Sequence, residues 1–407
     1  EKELMTTTEK SFAIPDDVAK LQQAARSYIQ NEIVPLEAHL DYDATDIPES
    51  EHTRLENIVK DYGLWNFDAR AGVPEEYGGT NLSGFTRAVM AEELIQHRAG
   101  LYTNVYHTLG HGALGMLYAG TDYQKETWLL PTLRGERNGF VGITEPSGGA
   151  DPARAIRTFG VQDGDDWIIN GSKVFVGGGQ ADYGVIFVRT DPDSRRGISA
   201  FLIDKGTPGY TWNPIPVLRA AYPQQLFFDN VRVPAKNIIG EVHNGWKLLA
   251  FDLLAKNRVF YSVDNLGLSV AAHRFAIESC KTRETFGAPL STRQAVQWML
   301  VDSEIELKST RWLAWESVWR VDNDEDFRYS ASLAKVYSSE VLQRTLDRSM
   351  QIIGAQALER DPAGLPLERW YREARIRRIG EGPSEVQRVV VARDMLSVGS
   401  GVNSTTP

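Results

Sequence analysis

Cysteine is almost absent from this chain of 407 residues. Cys280 stands alone in a strongly helical stretch, which excludes an intramolecular disulfide framework and a cysteine-based metal site. Its plain reading is a packed helix residue. Runs of Lys and Arg are also lacking: 44 basic against 54 acidic residues leave a formal charge of −10. Without a basic stripe a nucleic-acid partner is set aside, although a small anionic ligand needs only a few local arginines. No apolar run approaches the length of a membrane span. The first residues are acidic and polar, with neither a secretory signal nor an Arg-rich transit peptide in view, and Met5 is a candidate natural start. The expected place is the cytoplasm, or the mitochondrial matrix if a transit peptide has been removed. Missing too is the βαβ rhythm of a dinucleotide fold. No G-x-G-x-x-G opens a helix after a strand, and Gly177-Gly178-Gly179 does not meet that pattern.

What is present is ordinary globular material. Hydrophobic residues make up 42%, with ten Trp and fifteen each of Phe and Tyr, enough for a large core in two or three domains. The spacing divides the chain into three blocks and a tail. Residues 1–136 form a domain that reads as helical from about residue 12: Val18, Leu21, Ala25, Tyr28 and Ile29 share one helical face, and Pro35 closes that run. Residues 137–241 read as β. Trp167-Ile168-Ile169 and Val174-Phe175-Val176 flank Asn170-Gly171-Ser172-Lys173, a hairpin signal, and further strands are expected over Val185–Arg189, Ser199–Ile203 and Leu226–Val233. Short strands of this kind suggest a small antiparallel barrel or sandwich. Residues 242–396 return to helix, with Val296, Leu300, Leu307, Ala314 and Val318 at bundle spacing and Ser303 in the intervening turn. Residues 397–407 are expected to be a flexible tail.

Four segments carry more than architecture. They are Thr144-Glu145-Pro146-Ser147-Gly148-Gly149-Ala150-Asp151; Asp229-Asn230-Val231-Arg232-Val233-Pro234 with Gly240 soon after; Arg283-Glu284-Thr285-Phe286-Gly287 followed by Gln294; and Gly380-Glu381-Gly382-Pro383-Ser384-Glu385-Val386-Gln387-Arg388. Pro74 to Gly79 and Trp370 to Ile376 add weaker support. In this order and spacing they resemble the acyl-CoA dehydrogenase family. The resemblance implies an α+β fold with an N-terminal helical domain, a middle antiparallel β-barrel domain and a C-terminal four-helix bundle, with FAD between the last two. It implies α,β-dehydrogenation of an acyl-CoA, an electron-transfer flavoprotein as acceptor, and a homodimer at least, with a homotetramer as dimer of dimers.

Removing a proton α to a thioester carbonyl needs a base close to that carbon, in a site dry enough to keep its pKa useful. The resemblance assigns that base to Glu381, with its own backbone N–H and the flavin ribityl chain on the thioester oxygen. Some relatives carry the base on an earlier helix, where this chain has Asn257, which cannot serve. The resemblance also implies cofactor contacts. Thr144, with Ile143, Gly149 and Ala150 around it, meets the pyrimidine side of the flavin, while Glu145 and Asp151 fix the loop. Arg283 reaches the pyrophosphate of the neighbouring subunit's FAD, a task that suits a guanidinium. Phe286 packs near the adenine beside Thr285, and Gln294, Gln351 and Ala355 belong to the adenosine end. Pro383 and Glu385 border the flavin. Arg258, Gly380 and Gly382 are expected around the bound thioester, Arg258 near its pantetheine arm.

Departures from the family pattern point further. Phe175, Val176 and Gly177 stand where Trp-x-Thr is usual, with one residue deleted, so the hydroxyl beside flavin N5 is absent. Gly380 replaces an aromatic residue that often precedes the base, which implies room for a branched, cyclic or otherwise bulky acyl group. An acyl-CoA oxidase or flavin monooxygenase would share most cofactor contacts, although Glu381 disfavours the monooxygenase. A non-catalytic acyl-thioester-binding protein on this scaffold is the alternative of another class, and the altered Phe175–Gly177 stretch is its best argument. His107 and His111 have metal-compatible spacing but no third ligand, so no metal is expected. Trp312, Trp315 and Trp319 recur at helical spacing and read as packing.

Overall fold

The computed structural model describes residues 14–66, 73–101, 108–194 and 196–397, with 250–252 described in their backbone alone. Helix α1 (Asp16–Tyr28) begins after Pro15 with Asp16 and Asp17 in its first turn, where acidic groups complement the helix dipole. Its face of Val18, Ala25 and Tyr28 is buried. The chain does not stop at Pro35, as its sequence suggests. A wide π-type turn over Ile29–Ile33 leads straight into the helical residues Val34–Glu37, with Pro35 in the first turn of that piece, where a missing N–H costs little.

Helices α2 (Glu49–Asp61) and α3 (Gly84–Leu94) follow. Ser83 caps α3 by accepting from Thr86 N at 3.1 Å, and Gly84 N and Phe85 N donate to the Asp322 carboxylate at 2.7 and 2.9 Å. Nearly every residue of α3 is buried, because Ala88, Met90, Ala91 and Leu94 pack on Ala25, Tyr28 and Ile29 as well as on Val259, Phe260 and Val263. The N-terminal helices are thus cemented to the C-terminal ones.

The middle of the chain forms an eight-stranded sheet: β1 (Gly139–Gly142), β2 (Phe159–Asp163), β3 (Asp166–Val176), β4 (Tyr183–Arg189), β5 (Ile198–Asp204), β6 (Tyr210–Pro214), β7 (Gln224–Pro234) and β8 (Ile238–Ile239). The hydrogen-bonded path runs β6-β7-β3-β2-β4-β5-β8, with β1 added to β4. This overturns the expected antiparallel barrel. The sheet is mixed, because β1 pairs parallel with β4, and β2 touches β4 in the same sense at Phe159↔Arg189. It is also open. Closure requires the terminal strands to pair, but β8 has two residues and β6 is short and ends at Pro214, which has no N–H to give.

The expected Asn170-Gly171 hairpin is corrected as well. Residues Asp166–Val176 are one continuous strand, and the turn lies earlier, at Gly164-Asp165, where Asp163 pairs with Asp166. Gly171 instead marks a bulge against β7: its φ is 143°, and a Cβ there would stand 2.6 Å from Thr158 Cα. Alternation along β4 and β5 divides the apolar side chains. Tyr183, Val185, Phe187, Ile198, Ala200 and Leu202 pack toward Leu117, Trp128 and Leu129, while Ile186, Val188, Phe201 and Ile203 meet Trp167, Ile169, Leu226 and Val231.

Three long helices follow, α4 (Leu254–Thr282), α5 (Gln294–Asp322) and α6 (Arg328–Ile353), then α7 (Leu367–Ala374) and α8 (Ser384–Leu396). A two-stranded hairpin of β9 (Glu284–Thr285) and β10 (Ala288–Pro289) joins α4 to α5. Val296, Ser303, Leu307, Ala314 and Val318 are buried on α5 as their spacing suggests, and Cys280 is buried in α4. Trp315 packs edge-on against Phe85, whereas Trp312 and Trp319 point outward. No helix among the described residues is long and apolar enough to cross a membrane.

Candidate active site

Eight non-glycine residues among those described have a left-handed backbone. Five are Asn, Asp or His, which tolerate that region; the other three are Phe175, Phe286 and Glu381. All three were singled out from the sequence. Such conformations persist only where the surroundings hold them, and they concentrate at functional sites.

The turn that carries Glu381 lies between Ile379 and α8, with φ of 57° at Glu381 and 94° at Gly382. A Cβ at Gly382 would collide with Gln387 Nε2, so glycine is required there. Two successive carbonyls are gripped from different helices. Arg258 Nε on α4 donates to Glu381 O at 2.9 Å, joined by Gln387 Nε2 at 3.3 Å, and Lys335 Nζ on α6 donates to Gly382 O at 2.7 Å. Lys335 is 0% exposed. Burial, followed by the repulsion of Arg377, pushes its ammonium down from 10.5 to about 8, while Glu381 works in the opposite sense. Burial likewise lowers Arg258, and the Glu381 charge opposes that shift. Arg377 is fixed in turn by Asp264 at 3.0 Å and Asn265 Oδ1 at 2.7 Å. The Glu381-Gly382 turn is therefore braced by two cations, Arg258 and Lys335, with Arg377 behind Lys335.

On the sheet, Thr144 O accepts from Val174 N at 2.8 Å, which ties the Thr144 loop to β3. Behind it Lys173 is buried with Glu145: Nζ lies 2.6 Å from Glu145 Oε1 and 3.1 Å from Ile143 O, and Glu145 also accepts from the Arg157 and Thr158 N–H groups. Burial lowers Lys173 to about 8 against the pull of Glu145. Asp151 pairs with Arg154 at the start of a short helical turn. At the far end of β3 a register shift leaves Phe175 62% exposed, turns Val176 into the sheet core and opens the space beside Gly177. Phe175 and Gly177 are exposed on either side of the buried Val176. Gly149 lies against the Thr144 side chain, and Ala150 is exposed.

A third group gathers at one end of the helices. Arg283 Nη1 bonds Ile353 O, bringing the end of α4 to the end of α6, where Gln351 and Ala355 are exposed. Phe286, at the tip of the β9–β10 hairpin, is 99% exposed, with the Arg293 guanidinium 5.9 Å from its ring centroid. Arg293 also bonds Thr285 O, and Gln294 next to it is exposed. A bare aromatic ring, a guanidinium and two amides are what an adenosine diphosphate needs; the exposed Phe175 and the open space beside Gly177 suit a flat ring system. These donors fit FAD.

Lys335, Lys173, Arg293, Tyr261 and Arg377 escaped sequence reasoning. One signal for Lys335 is legible afterwards: it is a cation within the Ser/Ala-rich run Ser330-Ala331-Ser332-Leu333-Ala334 and Ser338-Ser339. Pro383 and Glu385 flank the Glu381 turn at the start of α8, with Glu385 exposed. His107 lies outside the described residues, and His111 faces Glu56 at 3.6 Å. No group of three or more His, Cys, Asp or Glu suited to a metal occurs among the described residues.

Comparison with known proteins agrees with this geometry. Residues 15–136, 141–231 and 243–396 match the models of the N-terminal, middle and C-terminal domains of acyl-CoA dehydrogenase. The chain is 32% identical over 397 residues to the mitochondrial short-chain specific acyl-CoA dehydrogenase of Rattus norvegicus, covering 96% of this chain and 92% of that one. It is 30% identical over 405 residues to the (R)-benzylsuccinyl-CoA dehydrogenase of Thauera aromatica, covering 95% and 97%. The solved butyryl-CoA dehydrogenase of Megasphaera elsdenii superposes with a TM-score of 0.80 at 27% identity, over 95% of this chain and 100% of that one. The chain belongs to the acyl-CoA dehydrogenase family and is an FAD-dependent oxidoreductase that dehydrogenates an acyl-CoA.

Proposed function

We propose that Glu381 is the base that removes the α-proton of the acyl thioester. The observation that carries this reading is the turn: Glu381 is the one glutamate among the described residues held with positive φ, and the carbonyls of the Glu381-Gly382 pair are clamped by the half-buried Arg258 and the buried Lys335. The α-proton leaves as H⁺ to the carboxylate, which becomes a carboxylic acid. FAD, when bound, supplies the acceptor for the hydride from the β-carbon. Arg258 and Lys335 keep the turn from swinging, so that the carboxylate waits in place. The Lys173–Glu145 pair holds the Thr144 loop in the same way.

The acyl group proposed is short in its main chain and branched or cyclic near the reacting carbons, because Gly380 offers no side chain beside the base. The names of the rat and Thauera relatives, one short-chain specific and one for a benzylsuccinyl thioester, agree with such a class. An electron-transfer flavoprotein is the proposed acceptor of the electrons. The proposed compartment is mitochondrial, the word in the rat protein's name, with the cytoplasm of a bacterium as the other reading.

A homodimer, doubled to a tetramer, is part of this reading. Phe286 stands bare at its hairpin tip, and α5 exposes Trp298, Ile305, Trp312 and Trp319 at intervals of seven, with Val301 between, an apolar stripe suited to another helix. Sedimentation should show an assembly, and Trp312→Ser with Trp319→Ser should loosen it. The main test is anaerobic titration of the purified protein with an acyl-CoA panel, following flavin absorbance. Bleaching by branched or cyclic short acyl-CoAs, and its disappearance in Glu381→Gln, is the expected result. Unbranched chains alone bleaching the flavin would remove the acyl class, and an unimpaired Glu381→Gln would remove the base.

A further inference from the structure

Gly380 does not need to be glycine for its backbone, since it is not among the residues with left-handed φ. It needs to be small for another reason. A Cβ at this position would lie 2.9 Å from the Tyr261 hydroxyl oxygen and 3.7 Å from Tyr261 Cζ. Tyr261 comes from α4, one turn beyond Arg258, the residue that holds Glu381 O. Its ring is 9% exposed and cannot easily step aside. The Arg377 guanidinium lies 3.5 Å from the ring centroid, and Arg377 is itself tethered to Asp264, Asn265 and Tyr261 O. The room that Gly380 leaves is thus bounded by a fixed phenol.

We propose that Tyr261 is the specificity-determining wall of the acyl pocket beside the base, supplied from α4 in place of a side chain at position 380. This rests on Glu381 being that base. The two positions then act as one unit: Gly380 provides space, and Tyr261 sets how large a branch at the acyl α or β carbon can be. Enlarging residue 380 narrows the space unless Tyr261 retreats, and shortening Tyr261 widens it.

The test uses Gly380→Ala, Tyr261→Phe, Tyr261→Ala and the Gly380→Ala/Tyr261→Phe double variant of the FAD-loaded enzyme. Two quantities are read: the melting temperature, and the ratio of kcat/KM for a 2-methyl-branched acyl-CoA to that for its straight four-carbon counterpart. Gly380→Ala should lower the melting temperature and reduce the branched-to-straight ratio about tenfold, the scale expected for one extra carbon in a packed pocket. Removing the hydroxyl in the double variant should restore both, a coupling that independent sites do not show. Tyr261→Ala should raise the ratio by about the same factor, most for the bulkiest acyl group. An unaltered ratio in Tyr261→Ala, or a double variant no better than Gly380→Ala in either measure, overturns the proposal. Failure of the base reading is separable. A fully active Glu381→Gln would discard the base yet leave the thermal coupling of positions 261 and 380 in place.

Discussion

The two ends of the C-terminal helices are built on opposite plans. At the Glu381 turn Arg258, Gln387 and Lys335 hold the carbonyls, Tyr261 fills the flank, and Arg377 with Asp264 and Asn265 backs them. At the opposite end, Phe286 stands bare on the β9–β10 hairpin, and Gln294 and Gln351 are exposed. Buried polar groups in good geometry rigidify a site before substrate arrives. An exposed aromatic ring such as Phe286 gains its partners only on binding. On the proposed reading, chemistry is pre-organised around Glu381 within one chain, whereas cofactor retention is left to assembly.

That contrast can be broken most severely at the base. Glu381→Gln should retain bound FAD while flavin reduction by acyl-CoA falls about 10³-fold, within the range lost with a general base; stopped-flow absorbance decides, and loss of FAD together with activity would blur the two ends. The next effect belongs to the opposite end. Arg283→Ala with Phe286→Ala should weaken FAD retention about 10- to 100-fold on dialysis, the worth of a charge-assisted contact, yet leave the rate per bound flavin nearly unchanged. A slowed chemical step with full FAD content would show that the ends are not separate.

Lys335→Met removes half of the carbonyl clamp. The rate of flavin reduction should drop about tenfold with little change in KM, as expected for a misplaced base rather than lost substrate binding. The smallest effect is thermodynamic. Lys335 titrates near 8 when folded and at 10.5 when not. Between those values the unfolded chain holds a proton that the folded chain has released, so this group adds stability as pH rises through about 8 to 10.5 and contributes a constant penalty below. Melting temperatures of wild type minus Lys335→Met should therefore climb from pH 8 to pH 10, and a flat difference would place the lysine in contact with water. Lys173, lowered to about 8 for the same reason, should behave alike on the sheet side.

The helical spacing on α5 was legible because an amphipathic pattern reports one buried face: Val296, Leu307, Ala314 and Val318 went where their intervals put them. The strands Val185–Arg189 and Ser199–Ile203 were legible as apolar runs but not as a sheet buried on both faces. Asn170-Gly171 misled because the same dipeptide serves a turn or a bulge, and the choice belongs to the strand across from it, where Thr158 leaves no room for a Cβ. The open path of the sheet depended on edge strands too short to close it, a matter of pairing that no local pattern carries. At the site, motif order singles out Glu381, Arg283 and Phe286, and the proposed function rests on them.

Alone, the sequence determined the succession of helices, strands and helices, the absence of a disulfide framework, and which glutamate sits in a glycine-flanked turn near the end. These are local properties, fixed by side-chain chemistry and short-range spacing. Only the tertiary structure decided that Lys335 and Arg258 reach that turn from two helices, and that a tyrosine 119 positions before Gly380 limits the space beside it (380 − 261). Such contacts join residues far apart in the chain, and packing geometry rather than residue type sets their distances.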